Sequence, residues 1–190
     1  MTHAAPRAVI LDRDGTITVD HGYLDDPGRL QFLPHALEGL RLWQAHGHPL
    51  VIVSNQSGIG RGMLSLAQVQ AVNARLLQMT QAAGVRIDGL YFCPHAPDSG
   101  CACRKPATQL VLEAAAQLHF NPAHSVVVGD KSSDIELGRR LRAISMLVSA
   151  DGRAADGLWV EPDFVVRDLL EAAHLTLAAA GAARRGEPAG

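Results

Sequence analysis

The sequence predicts an α/β fold with a mostly parallel central sheet, on three observations. Short apolar runs alternate with helix-length amphipathic runs from one end of the chain to the other. The strand-like runs are unbroken in Val, Ile and Leu, the composition of strands covered on both faces. Polar and acidic residues gather just after those runs, on the side where open α/β sheets hold their ligand.

Strands are expected at 8–12 (AVILD), 49–54 (PLVIVS), 89–93 (GLYFC), 125–130 (SVVVGD), 144–149 (ISMLVS) and 163–166 (DFVV). Helices fall between them, at 34–46, 65–83, 108–119, 132–142 and 168–180. The second helix carries the fullest signals: a Ser65-x-x-Gln68 capping box, a core stripe of Val69, Val72, Leu76 and Leu77, and Gly84 as its stop. The expected organisation is a single domain over 1–180. The stretch 181–190 (GAARRGEPAG) has nothing to bury and reads as an unstructured tail. Two irregular stretches, 15–33 and 94–107, follow strands directly and are expected to line the ligand site.

Charge and composition narrow the function. With 47% hydrophobic and 19% charged residues, the 190-residue chain reads as an ordinary globular protein. A net charge of -2 argues against a nucleic-acid or membrane-surface binder, either of which needs a large basic patch. No apolar run approaches the ~20 residues of a membrane span, and the start of the chain lacks a signal-peptide pattern. The expectation is a cytoplasmic monomer acting on a small molecule.

Asp12 and Asp14 stand after the first strand, Ser54 and Asn55 end the second, and Asp130 and Lys131 follow the fourth; Lys105 follows the third through a cysteine-rich loop. A buried sheet has no structural use for so many polar groups along one edge. Two carboxylates one residue apart repel unless a cation lies between them, and the converging acids make a hard oxygen site suited to magnesium. The loop CPHAPDSGCACRKP places Cys93, His95, Cys101 and Cys103 at a C-x-H-x5-C-x-C spacing. Three thiolates and an imidazole suit zinc, and four protein ligands leave no open position, so that site is expected to be structural.

The order D-x-D-G-T, Ser, Lys, G-D-x-x-x-D resembles the haloacid dehalogenase superfamily of phosphohydrolases. The resemblance implies a Rossmannoid three-layer sandwich with no large cap domain and a short zinc-binding loop. It also implies that Asp12 is the nucleophile, forming an aspartyl phosphate, and that Asp14 is the general acid and base. Ser54 and Lys105 would receive the charge of the transferring phosphoryl group. Magnesium would be held by Asp12, Asp130 and the backbone carbonyl of Asp14. Asp134 reads equally as a residue behind the metal ligands or as an N-terminal helix acid.

The zinc loop is similar to that of the heptose bisphosphate phosphatases and of the histidinol-phosphate phosphatases alike. TVDHGYL (18–24) and SNQSGIGRG (54–62) resemble the heptose group, which implies removal of the C7 phosphate of a heptose 1,7-bisphosphate. Asp20, His21 and Tyr23 then offer hydrogen bonds to a sugar, and Arg61 and Arg104 offer planar forks for its second phosphate. Gly22, Asn55, Gln56, Ser57 and Lys131 complete the expected substrate contacts. A histidinol-phosphate phosphatase, or a non-catalytic module that binds a phosphorylated ligand, are the alternatives.

Overall fold

The structure is a computed structural model that describes residues 7–152 and 160–185. Six strands form one sheet: β1 (Val9–Leu11), β2 (Leu50–Asn55), β3 (Gly89–Cys93), β4 (Val126–Gly129), β5 (Ile144–Val148) and β6 (Phe164–Val166). Their order is β3-β2-β1-β4-β5-β6 and all five pairings are parallel. The chain winds one way from β1 to β3 and the other way from β4 to β6, so the crevice between β1 and β4 is the switch point where such sheets place a ligand. Leu11 pairs with both Ile52 and Val128, which puts Asp12 at the sheet edge beside the residues that follow β4.

The strands bury alternate residues on opposite faces. Val9, Leu11, Leu50, Ile52, Val126 and Val128 pack with α1 (Ala36–Ala45), α3 (Leu66–Ala82) and α6 (Leu169–Arg185), through Leu40, Trp43, Val72, Leu76 and Leu169. Ala8, Ile10, Val51, Val53 and Val127 pack with α4 (Gln109–Leu118) and α5 (Ser132–Leu141), through Val111, Ala114, Leu137 and Leu141. The result is the three-layer arrangement expected. At ~1.5–3 kcal/mol for each large apolar side chain fully buried, these two faces hold the sheet rigid beneath its loops.

The Ser65–Gln68 capping box forms, and Gly84 takes a φ of +77 beyond the end of α3. The expected stripe needs one correction. Val69, Val72 and Leu76 are buried, but Leu77 is 38% exposed. The buried stripe turns the other way around the helix, through Val69, Val72, Leu76 and Thr80, which leaves Leu77 at its margin. The buried stripe takes Asn73 instead. A short helix, α2 (Ser57–Gly60), was not expected; the last helix runs to Arg185, into the stretch read as tail, whose residues 186–190 lie outside the described ones. Between β1 and α1 lies a loop with one 3-10 turn (Pro27–Arg29), and no cap domain is inserted there. No described helix is long and apolar enough to cross a membrane.

Candidate active site

The chain leaves β1 through a turn that only glycine completes: Gly15 has a φ of +87, and a Cβ there would strike the Asp130 carboxylate. The turn closes on the carbonyl of Arg13, which accepts from the Ile17 and Thr18 amides, at 2.9 Å each, and from the Thr18 hydroxyl. It thereby presents Asp12 and Asp14 to a cavity of about 360 Å³ at the carboxyl ends of β1, β2 and β4.

Asp12 is buried, and its Oδ1 accepts from the Lys105 ammonium at 2.7 Å. The same ammonium reaches Asp134 Oδ1 at 2.6 Å. Burial works to discharge Lys105, but the two carboxylates outweigh it and hold its pKa above the ordinary value. Asp134 takes the helix-acid role, one oxygen capping α5 by accepting from the Lys131 amide at 3.2 Å, while the other pairs with Lys105. Lys105 is carried by a backbone segment pinned to the end of β2, since the Asn55 amide bonds both its N–H (2.9 Å) and its carbonyl (3.1 Å).

Oxygens of Asp12, Asp130 and Asp134 lie within 4.8 Å of one another. Burial, with Lys131 opposing it and the neighbouring carboxylates adding to it, pushes Asp130 up to about 7. Its Oδ1 is buried without a hydrogen-bond partner. Lys131 Nζ stands 3.4 Å from Asp130 Oδ2, 3.5 Å from the Asp14 carbonyl and 3.1 Å from Asp20 Oδ2. A carboxylate cluster with an orphaned oxygen, already drawing an ammonium, fits a hard divalent cation.

Asp14 points elsewhere. Its carboxylate receives a two-point fork from Arg13 (3.0 and 2.7 Å) and a bond from Gln56 Nε2 (2.9 Å), which also donates to Ser54 Oγ at 2.7 Å. Ser54 is buried at the cavity wall. Asp20, Gly22, Tyr23, Asn55, Gln56, Ser57, Arg104 and Lys131 also line the cavity, with Gly58 and Ser133, which the sequence did not suggest. Asp20 makes a tight turn onto the Gly22 amide (2.8 Å); burial works against its charge, but that amide and Lys131 bring its pKa below the usual value.

Two expected substrate residues lie off the cavity lining. His21 turns its Nε2 inward, where it is buried without a partner, and Arg61 is an exposed residue that reaches the site only by donating to the Tyr23 hydroxyl at 3.1 Å. Conversely, Arg13 belongs to the site although it is absent from the expected residues. A cation between two acids at the end of an apolar strand was the available signal.

Cys93 Sγ, His95 Nδ1, Cys101 Sγ and Cys103 Sγ converge with mutual contacts of 3.1–3.6 Å and no disulfide. Around an ion with bonds of ~2.3 Å the edges of a tetrahedron are about 3.8 Å, so the donors need only a small outward adjustment to hold zinc. Burial pushes the Cys93 thiol up to about 12, while a bond from Ser99 draws Cys101 down to about 6; one thiolate is therefore available to begin binding. The loop is tied to the β2 end: the Gln56 amide donates to the Cys93 carbonyl and the Gly60 amide to the Pro94 carbonyl, both at 2.8 Å.

A HAD-hydrolase-like family model matches residues 102–172. The D-glycero-beta-D-manno-heptose-1,7-bisphosphate 7-phosphatase of Yersinia pestis is 40% identical over 143 residues, covering 72% of this chain and 76% of that one. The chain belongs to the heptose bisphosphate phosphatase family. The enzyme of the same name from Escherichia coli K12 is 38% identical over 136 residues, 68% of this chain and 71% of that one. Among solved structures, the D,D-heptose 1,7-bisphosphate phosphatase from B. bronchiseptica, complexed with magnesium and phosphate, superposes with a TM-score of 0.78 at 27% identity, over 91% of this chain and 99% of that one. As a member of this heptose bisphosphate phosphatase family the chain is a HAD-type phosphatase, a class that works with a metal cofactor.

Proposed function

We propose that the cavity removes the C7 phosphate of D-glycero-D-manno-heptose 1,7-bisphosphate through an aspartyl phosphate on Asp12. One observation carries the reading: Asp12 and Asp14 line the same cavity, yet each is held by its own cation, Lys105 on one and Arg13 on the other. Two carboxylates in different surroundings suit two different tasks.

With Oδ1 of Asp12 held by Lys105, Oδ2 is left to attack phosphorus. Asp14 passes a proton to the departing C7 oxygen and later takes one from the water that frees the phosphate. Lys105 and the Ser54 hydroxyl receive charge on the equatorial oxygens. A magnesium ion held by Asp12, Asp130 and the Asp14 carbonyl would neutralise the attacking carboxylate and the phosphate against each other. The test is phosphate release, with magnesium, from the heptose bisphosphate and from histidinol phosphate. The expected product is the heptose 1-phosphate; faster release from histidinol phosphate would overturn the substrate, and release from neither would overturn the activity.

Arg104 lines the cavity and is proposed to grip the C1 phosphate. Arg104→Ala should raise KM for the bisphosphate about tenfold or more, the scale of a lost charge-assisted hydrogen bond, while sparing a small monophosphate. Equal losses on both would contradict the grip.

Asp130 makes magnesium binding pH-dependent. Below about 7 its proton must leave before the metal enters, so the magnesium Kd should weaken by about tenfold for each pH unit lowered, and level off above neutrality. Calorimetric titration from pH 5.5 to 8 checks this; a flat profile contradicts it.

Zinc is proposed for the cysteine loop. Its removal should abolish activity even in excess magnesium, because Lys105 follows this loop in the chain and Gln56 and Gly60 bond to it, whereas one apolar face of the sheet packs without the cysteines and the other loses only the contacts of Cys93, Cys101 and Cys103. Far-UV circular dichroism should keep most of its amplitude after strong chelation; wholesale unfolding would contradict this.

A further inference from the structure

We infer that Arg13 and Asn73 are positioning residues that hold Asp14 in its working orientation and leave Oδ1 as the oxygen that handles the proton. The inference rests on the two-carboxylate reading above. Arg13 is only 2% exposed, an expensive place for a cation unless each of its nitrogens finds a partner. Nε and Nη2 fork onto the two oxygens of Asp14, and Nη1 donates to Asn73 Oδ1 at 2.6 Å. Asn73 lies on the buried stripe of α3, 6% exposed, among Val69, Val72 and Leu76, where an apolar residue would pack better. An amide placed there against the hydrophobic pattern serves the guanidinium.

The geometry assigns the two oxygens of Asp14 different work. Oδ2 accepts from both Arg13 and Gln56, whereas Oδ1 accepts from Arg13 Nε alone. Only Oδ1 keeps a lone pair for the leaving oxygen or the attacking water. A carboxylate fixed at three points is already oriented before substrate arrives, and orientation of this kind is where a 1 Å error costs about 10² in rate.

Arg13→Met and Asn73→Leu test the inference with p-nitrophenyl phosphate, whose leaving group departs without a proton. Phosphorylation of Asp12 should then proceed, while hydrolysis of the phosphoenzyme, which needs Asp14 as base, slows by about 10² for Arg13→Met and about tenfold for Asn73→Leu. A burst of p-nitrophenol approaching one equivalent, followed by a slow steady state with KM no higher than wild type, is the expected result. Asn73 lies outside the cavity lining, so Asn73→Leu still reads the effect if Arg13→Met does not fold. A slow rate without a burst in Asn73→Leu, meaning both half-reactions fell together, would overturn the inference, as would steady-state rates within threefold of wild type. The aryl ester carries no sugar, so this outcome is separable from failure of the heptose assignment.

Discussion

Asp12→Asn is expected to lower phosphate release by about 10⁴-fold or more, the loss typical when a covalent nucleophile is removed. The amide keeps the shape of the side chain but is not a nucleophile at phosphorus and is a poor ligand for magnesium. The fold should survive, because Lys105 keeps its second partner, Asp134, at 2.6 Å. Magnesium affinity should fall in the same variant, since one of three clustered carboxylates has lost its charge. Retention of more than about 1% of wild-type kcat would remove Asp12 from the role proposed for it.

Lys105→Met should damage both stability and rate. Asp12 and Asp134 would remain buried with no cation between them, and stranding a buried partner in this way costs about 3–5 kcal/mol. Rate should fall a further ~10²–10³ for the lost donor to the phosphate. The stability loss has a definite pH dependence. Burial already raises the Asp134 pKa and Lys105 pulls it back; without the lysine it rises further above its unfolded value. A carboxyl with a raised folded pKa binds its proton more tightly folded than unfolded, so stability falls as pH rises. The variant should therefore melt higher at pH 5 than at pH 8 relative to wild type. Adding Asp134→Leu should recover part of the melting temperature, since Asp12 stays unpaired, and leave the rate defect, which separates the two effects.

The sheet was legible because each of its strands is a local apolar run: β2, β3 and β4 fall within a residue of where the pattern of Val and Ile places them. The clustering of the cysteine loop was legible for the same reason, its four possible donors falling within eleven residues. What stayed hidden depends on contacts between distant parts of the chain. Residues 57–60, Ser-Gly-Ile-Gly, have little helical propensity, and α2 forms where the Gly60 amide meets the cysteine loop. A Cβ at Gly60 would run into the backbone of His95 and Ala96. Arg13 could be seen as a charge at the end of a strand, but Asn73, its partner from sixty residues away, could not. Arg61 and His21 fail as cavity residues because sequence proximity to Tyr23 and Asp20 says nothing about which way the loop turns them. Ser54 and Lys105 were legible as polar residues gathered near one end of the sheet; that Asn55 fastens the backbone of one to the strand of the other was not.

In the proposed reaction, phosphate passes through the side chain of Asp12. Trypsin divides the two candidate acids, because cleavage after Arg7 and Arg13 releases the peptide AVILDR, whose one side-chain carboxyl is Asp12, and leaves Asp14 in the next peptide. Borohydride added during turnover reduces an acyl phosphate to the alcohol, converting the aspartate to homoserine. Homoserine at position 12, dependent on substrate and on magnesium, is the expected result; homoserine at position 14, or an unmodified AVILDR peptide under conditions of phosphoenzyme accumulation, would rule Asp12 out as the nucleophile.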